Sequence, residues 1–260
     1  MTLAFIAALS YLIAAGLLAR GVDKDLHGRA WLVPAVIGVA THAAAHATAW
    51  QASGSPDLHF FAALSLVGLG MAALTTLYGA NGRMAALGVL VFPIAAVVVL
   101  AYSARGHVPA SPLDWRLQLH AWCALLAYAT LGIAAVLALF LWAQERALRR
   151  REFKGWLRAL PPLTELESLL FRTIGVGFVL LTATLLTGVL FVENLLAQHL
   201  VHKTVLSVLS WLAFGALLLG RWRRGWRGAV AVRWTLGAMA LLMLAFFGSQ
   251  FVLEMVLKRV

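Results

Sequence analysis

The sequence predicts an all-α membrane protein, a polytopic bundle of eight transmembrane helices with both termini on the periplasmic side. Three observations predict this fold. Of the 260 residues, 62% are apolar and only 12% are charged, whereas a soluble domain has about 25% charged residues. The apolar residues form runs long enough to cross a bilayer, and the Lys and Arg residues collect in alternate loops. This composition, with a mean hydropathy of +0.88, excludes a soluble enzyme, a nucleic-acid-binding protein and a disordered tail.

Eight apolar segments each approach the roughly 20 residues that a transmembrane helix needs. The first has no Lys or Arg before Arg20, so it lacks the basic start of a signal peptide and is expected to be a span. None shows the alternation of a strand. We therefore treat residues 1–260 as a single integral membrane domain. The segments are about 3–19, 31–50, 59–79, 85–103, 117–143, 169–191, 201–219 and 234–255.

The net charge of +11 is distributed unevenly between the two sides of the membrane. The loops at 20–30, 80–84, 144–168 and 220–233, together with Arg172, hold sixteen Lys and Arg residues, and the opposite side holds five. Because Lys and Arg accumulate in cytoplasmic loops, the first group is expected in the cytoplasm. Both termini then lie in the periplasm of a Gram-negative cell, and the protein is expected in the bacterial inner membrane.

Two further features fit a membrane protein. Six tryptophans are expected at the interfaces because they lie near the predicted span ends, whereas Trp211 is central in its span and is interpreted as packing or pocket lining. The longest loop, 144–168, has six basic residues followed by Pro161-Pro162. It is either a short amphipathic stretch facing headgroups or only a determinant of topology. The six tryptophans are Trp31, Trp50, Trp115, Trp142, Trp222 and Trp234.

Histidines are the informative residues, because ionisable groups within a membrane are functional candidates. On the predicted topology, His27 alone is cytoplasmic and the other seven lie on the periplasmic side. His59, His107 and His199 are interpreted as interfacial hydrogen-bonding residues. His42, His46, His120 and His202 are the candidates for a site.

His42 and His46 are four residues apart in an alanine-rich segment, so they share one helix face. The small neighbours permit close approach of another helix or of a flat macrocycle. Imidazole suits haem iron, zinc or copper. One helix face cannot supply two ligands on opposite sides of a haem, so His120 or His202 would be the partner.

The other polar residues give weaker indications of a functional site. Lys203 is expected near the periplasmic interface, either extending to the headgroups or paired with Glu193 or Asp114. Cys123 is the single cysteine, which excludes an intramolecular disulfide and a multi-cysteine metal cluster. No Ser-His-Asp arrangement, phosphate loop or paired buried carboxylates are found, so no catalytic residues are assigned.

Several strings resemble the cytochrome c assembly family of the CcsA/ResC type. They are "LHAWCALLAYATLGIAAVLALFLW" with His120, "FRTIGVGFVLLTATLLTGVLF" at 171–191, "HKTVLSVLSW" at 202–211, "RRGWRG" at 223–228 and "LAFFGSQF" at 244–251. They occur in the family's order over about 115–255, and several separate motifs in order are more specific than any one.

The sequence also departs from that family's full pattern. The tryptophan-rich haem-handling motif is absent before Lys203, where "VENLLAQHLVH" stands, and the histidine near the cytoplasmic end of span seven is replaced by Leu219. This pattern is similar to the HemX/YpjD-type branch. What remains is His120, which matches a haem-ligating histidine, and His42, which matches a histidine in an early span.

The resemblance implies haem handling at the membrane in cytochrome c biogenesis. Haem b would be held in the periplasmic half of the bundle, with His120 as one axial ligand and His42 or His202 as the other, and with His46 and Trp211 near the cofactor. Lys203 and Arg116 would pair with the propionates. Synthase activity is not expected without the tryptophan motif.

Two alternatives remain open. The first is a non-catalytic regulator or scaffold of haem-synthesis or assembly enzymes, as the resemblance to the HemX type implies, with loop 144–168 as the contact surface. The second is a transporter, for which neither broken helices nor a midplane charge are found. The expected partners are the lipid bilayer and other proteins of cytochrome c maturation or haem synthesis, and no nucleic acid.

Overall fold

The computed structural model describes residues 1–21, 29–54, 56–80, 83–106, 114–151, 160–191 and 198–251. Within these residues the chain is helical and contains no strand. Eight helices are long and apolar enough to cross a membrane, which confirms the predicted fold class and all eight spans. Which side of the membrane the termini face stays a prediction. The helices are α1 (Thr2–Gly21), α2 (Leu32–Ser53), α3 (Phe60–Gly79), α4 (Gly88–Arg105), α5 (Trp115–Arg149), α6 (Leu163–Phe191), α7 (Gln198–Arg224) and α8 (Ala229–Met243).

The chain forms two compact units. Unit 1 comprises Met1–Pro112 and Ala143–Leu166, and unit 2 comprises Leu113–Trp142 and Glu167–Val260. In unit 1, α1 packs on α2 and α4, and α3 packs on the same two helices. In unit 2, α7 packs on α8, and side-chain contacts join α5 to α6 and α8.

Helix α1 shows how the sequence builds unit 1. Its buried face carries mostly alanines, with Tyr11 and Leu18 at helical spacing, whereas Phe5, Leu9 and Leu12 are exposed. Small residues allow close helix approach where lipid offers no hydrophobic driving force. The large apolar side chains therefore face outward, as expected for a helix that contacts lipid.

The Arg-Gly-Trp-Arg-Gly string is a turn between α7 and α8. Gly225 and Gly228 have positive φ angles of 65° and 55°, which glycine adopts without steric cost. The Glu167 carboxylate accepts the backbone N–H of Gly228 at 2.9 Å, and Arg221 donates to the carbonyl of Trp226 at 3.2 Å. In unit 2 this motif therefore fixes the geometry of the turn between α7 and α8.

The tryptophans that are predicted at the interfaces differ in exposure. Trp222 is 79% exposed and Trp115 is 62% exposed, so their place in an interfacial belt stays a prediction. Trp31 is only 4% exposed and packs against the ring of Phe92 at 6.1 Å. It is a core residue of unit 1, because it directly precedes α2 where Gly79 of α3 leaves space for its ring.

Candidate functional site

Unit 2 contains a cavity of about 240 Å³ between its four helices. The walls are mostly apolar, and small side chains line much of them. The polar groups are few, and they include His120 and Lys203. A concave, apolar pocket with a few converging polar groups is the usual form of a small-molecule site. The lining residues, by helix, are His120, Ala124, Ala127 and Tyr128; Leu181, Thr184, Leu185, Gly188 and Val189; Lys203, Thr204, Ser207 and Val208; and Leu242, Ala245 and Phe246.

His120 of α5 is held by α6 through one side of its ring. Its Nδ1 lies 3.1 Å from the carbonyl oxygen of Thr184 and 3.2 Å from Oγ1 of Thr187. A carbonyl oxygen only accepts, so in the neutral ring Nδ1 carries the proton and Nε2 keeps its lone pair. Metal-ligating histidines usually donate their other ring N–H in this way, which fixes the tautomer and the ring orientation.

A glycine provides the space for the His120 ring. A Cβ atom at Gly188 would lie 3.2 Å from Cε1 of His120, so the imidazole packs directly against the backbone of α6. Gly188 belongs to the stretch that resembles the assembly family's glycine-containing motif. The role of Gly188 in unit 2 is therefore to leave room for the His120 ring.

Helix α8 departs from α-helical geometry beside the cavity. Residues Leu244–Gly248 form a π-helical turn, followed by the short helix Ser249–Phe251. Such turns occur frequently at functional sites. The Tyr128 hydroxyl donates to the carbonyl of Leu242 just before this turn, at 2.5 Å, and both residues line the cavity. Tyr128 thus ties the irregular part of α8 to α5.

Replacing Tyr128 with phenylalanine should destabilise the protein by about 1–3 kcal/mol, because a buried carbonyl would lose its side-chain partner. Thermal unfolding in detergent would measure the change. Tyr78 is 58% exposed, so Tyr78→Phe is the matched control and should leave the midpoint unchanged. Equal midpoints for both variants would show that the Leu242 bond does not stabilise the π-helical turn.

Lys203 lines the same cavity as His120. Its Nζ donates to Oε1 of Gln250 at 3.0 Å and lies 5.5 Å from the centre of the Phe246 ring. The structure therefore brings together two of the predicted site residues, an imidazole and a cation, at one apolar pocket.

The other predicted residues of unit 2 are not among the lining residues. His202 is exposed. Arg116 is exposed and lies over the rings of Trp115 and Phe191, at 5.6 and 5.9 Å. Trp211 donates its ring N–H to Thr182 at 2.8 Å and stacks on Phe178 at 5.4 Å, which agrees with the packing alternative.

His42 and His46 belong to unit 1 and share a face of α2, as their spacing predicts. Their rings stack with centres 5.5 Å apart. The Nε2 atom of each lies 2.9 Å from Oγ of Ser65 on α3. His42 is fully buried, and its Nδ1 lies 3.3 Å from the Tyr11 hydroxyl of α1.

Several hydrogen-bonding partners of the candidate histidines were missed by sequence reasoning. Thr184 and Thr187 lie 64 and 67 residues from His120, and Ser65 lies 23 residues from His42. Hydroxyl side chains at helical positions carry no signal of their own, because threonines often bond to the preceding turn. His27, His107 and Glu193, residues 152–159 of the basic loop and the side chain of His199 lie outside the described residues.

The comparisons with known proteins agree with the motif resemblance. The family described as cytochrome C assembly protein matches residues 30–257, so the similarity begins well before the 115–255 region where the motifs lie. No solved structure matches the chain significantly.

Three relatives represent the three kinds of protein that the motifs resemble. The inner membrane protein YpjD of Escherichia coli K12 is 30% identical over 268 residues, covering 97% of this chain and 98% of YpjD. Protein HemX of Brevibacillus brevis is 25% identical over 131 residues, covering 50% of this chain and 48% of HemX. The cytochrome c biogenesis protein CcsA of Synechococcus sp. CC9902 is 27% identical over 165 residues, covering 55% of this chain and 54% of CcsA. With eight apolar helices and a family match over most of its length, the chain is a multi-pass inner membrane protein that belongs to the cytochrome c assembly family.

Proposed function

We propose that this protein binds haem b in the cavity of unit 2 and serves cytochrome c maturation as a haem-handling protein. The observation that carries the proposal is the orientation of His120. Its Nδ1–H is bonded to the Thr184 carbonyl, so Nε2 is the ring nitrogen with a lone pair for iron.

The cavity offers the chemistry that haem requires. Its apolar wall of small residues and the Phe246 ring suits a porphyrin face, and Lys203 supplies a cation suited to a propionate. The volume of about 240 Å³ is slightly below the ~300–1,000 Å³ of typical ligand pockets. A bound macrocycle would therefore extend beyond the cavity or part its walls.

A second histidine that would hold haem in unit 2 is His202. It is exposed on α7, next to the cavity-lining Lys203. His42, the other histidine expected from the sequence, belongs to unit 1, and both of its ring nitrogens lie within hydrogen-bond distance of side chains there, Tyr11 and Ser65.

The test is a haemin titration of the detergent-purified protein followed by absorbance. We expect the wild-type protein to develop a Soret band and His120→Ala to lose most of it, because the variant lacks the proposed iron ligand. The matched control is His59→Ala, since His59 belongs to unit 1. His202→Ala should convert a six-coordinate spectrum into a five-coordinate one, because that variant lacks the second proposed ligand of unit 2.

Two outcomes would contradict the proposal. A Soret band of normal intensity in His120→Ala would exclude His120 as the ligand. Wild-type protein that is purified without haem and takes up none from solution would exclude haem binding. The remaining function would then be that of a non-catalytic regulator acting on other proteins of haem synthesis or cytochrome c assembly.

A further inference from the structure

Five exposed arginine side chains lie at or near the turn between α7 and α8. They come from α6, the end of α7, the turn itself and the start of α8, all within unit 2. Cζ of Arg221 lies 4.7 Å from the centre of the Phe171 ring, so the next residue of α6, Arg172, lies at the level of the turn. The five residues form an arginine cluster: Arg172, Arg223, Arg224, Arg227 and Arg233.

The arginine cluster has little negative charge near it. Among the residues of unit 2 that the structure describes, the acidic ones are Asp114 and Glu167. Asp114 directly precedes α5, whose first residue meets the last residue of α6, whereas the turn contacts the start of α6. Glu167 accepts the N–H of Gly228 at 2.9 Å and lies 3.9 Å from Arg221. The cluster therefore gives this end of unit 2 a net positive charge.

The turn that carries the cluster is fixed by its own contacts. The Trp226 ring covers Gly220, where a Cβ would lie 2.3 Å from Cε3 of Trp226. The backbone N–H of Trp226 donates to the Gly220 carbonyl at 3.3 Å, and its ring lies 5.5 Å from that of Trp234. Because the backbone is held in place, a ligand that binds the arginines has less of the turn to order.

The depth of the turn is set by the helices that it joins. Both α7 and α8 belong to membrane-spanning segments, and residues 225–228 connect them. Four residues reach about 14 Å when fully extended, so the turn cannot extend far beyond the lipid headgroups. Trp222 is 79% exposed, and Cζ of Arg223 lies 5.8 Å from its ring centre. Tryptophan rings favour the headgroup level of a membrane, which places these arginines among lipid phosphodiesters.

We propose that the arginine cluster binds the phosphodiester headgroup of an anionic phospholipid such as phosphatidylglycerol. A guanidinium group donates two parallel hydrogen bonds to phosphate oxygens. Zwitterionic phospholipids also have a phosphodiester, but they carry a cationic amine that the cluster repels. A headgroup with net negative charge is therefore preferred. This lipid site does not depend on haem binding in the cavity of unit 2.

The test is equilibrium binding of phospholipids with a fluorescent acyl chain to the detergent-purified full-length protein, followed by anisotropy. We expect the wild-type protein to bind phosphatidylglycerol roughly tenfold or more tightly than phosphatidylcholine. A triple variant of the cluster should lose most of this preference, because it lacks three of the guanidinium groups. Its substitutions are Arg223→Gln, Arg224→Gln and Arg227→Gln.

The matched control removes the same charge from unit 1. Arg149, Arg150 and Arg151 are exposed where α5 ends, and their replacement by glutamine should leave the preference for phosphatidylglycerol in place. If the triple variant does not insert into the membrane, Arg227→Gln is compared with Arg149→Gln. Arg227→Gln should weaken phosphatidylglycerol binding by roughly two- to fivefold, and Arg149→Gln should not.

Three results would overturn the lipid site. An equal loss in the cluster variant and its control would mean that lipid responds only to the total charge of the protein. A wild-type protein without a preference for phosphatidylglycerol would assign the cluster to another partner, such as an acidic protein segment. Displacement of the lipid by inorganic phosphate, but not by chloride at the same ionic strength, would make free phosphate the ligand.

Discussion

Replacing Gly188 with valine is expected to abolish most haem binding while leaving the protein folded. Even a single Cβ at this position would lie 3.2 Å from Cε1 of His120, and the two valine methyl groups would press further into the ring and the cavity. The imidazole would have to turn away from the Thr184 carbonyl that fixes its tautomer. We expect the haemin dissociation constant to rise roughly tenfold or more, which is about 1.4 kcal/mol.

The matched control is Gly175→Val in the same helix, because a Cβ at Gly175 would meet no atom within 4 Å. It introduces the same β-branched residue without touching His120. Haemin titration of both variants, with circular dichroism to check folding, makes the comparison. Equal haemin affinity for Gly188→Val and wild type would mean that the imidazole position does not govern binding.

Replacing Gly38 with alanine should destabilise unit 1. The added methyl would lie 2.7 Å from Cδ1 of Tyr11. Tyr11 is fully buried, stacks on Phe92 at 5.8 Å and reaches His42 with its hydroxyl, so it cannot retreat without losing these contacts. Overpacking costs about 1–3 kcal/mol, which exceeds the ~1 kcal/mol that alanine gains over glycine in a helix.

Gly16→Ala in α1 is the control, because a Cβ at Gly16 would meet nothing within 4 Å. The same gain in helix propensity applies there without a clash, so its unfolding midpoint should equal or exceed that of wild type. Thermal unfolding followed by tryptophan fluorescence compares the two variants. A Gly38→Ala midpoint as high as that of Gly16→Ala would contradict the packing described for Tyr11.

The eight spans could be predicted from the sequence because the bilayer imposes a length and a composition on each crossing helix. The structure confirms them. The pairing of His42 with His46 could also be predicted, since residues four apart share a helix face, and the two rings do stack. Local sequence was sufficient for both predictions.

The partners of the histidines could not be predicted, because they depend on how distant helices pack. The bond from His120 to Thr184 joins α5 to α6, and Ser65 reaches the histidine pair from α3. Trp31 shows the same limit. Its place near a span end predicts an interfacial residue, but packing against Phe92 buries it.

The π-helical turn of α8 was likewise beyond sequence reasoning. The "LAFFGSQF" string carried a family resemblance, but nothing in its composition marks a change in helical register. The turn gains a tertiary contact only through Tyr128, which bonds to Leu242 just before it, 114 residues away in the chain. The family resemblance therefore drew attention to residues 244–251, and only the structure shows the contacts that these residues and their neighbours make.

Chemical rescue with free imidazole tests the ligand role of His120 most directly. In His120→Ala the ring is removed and the space beside Gly188 is vacated, so added imidazole can enter and ligate iron in place of the side chain. The proposed role predicts that His120→Ala incubated with haemin regains a Soret band on addition of imidazole, whereas Gly188→Val regains less because the valine fills that space. A His120→Ala spectrum that already matches wild type without imidazole would contradict it.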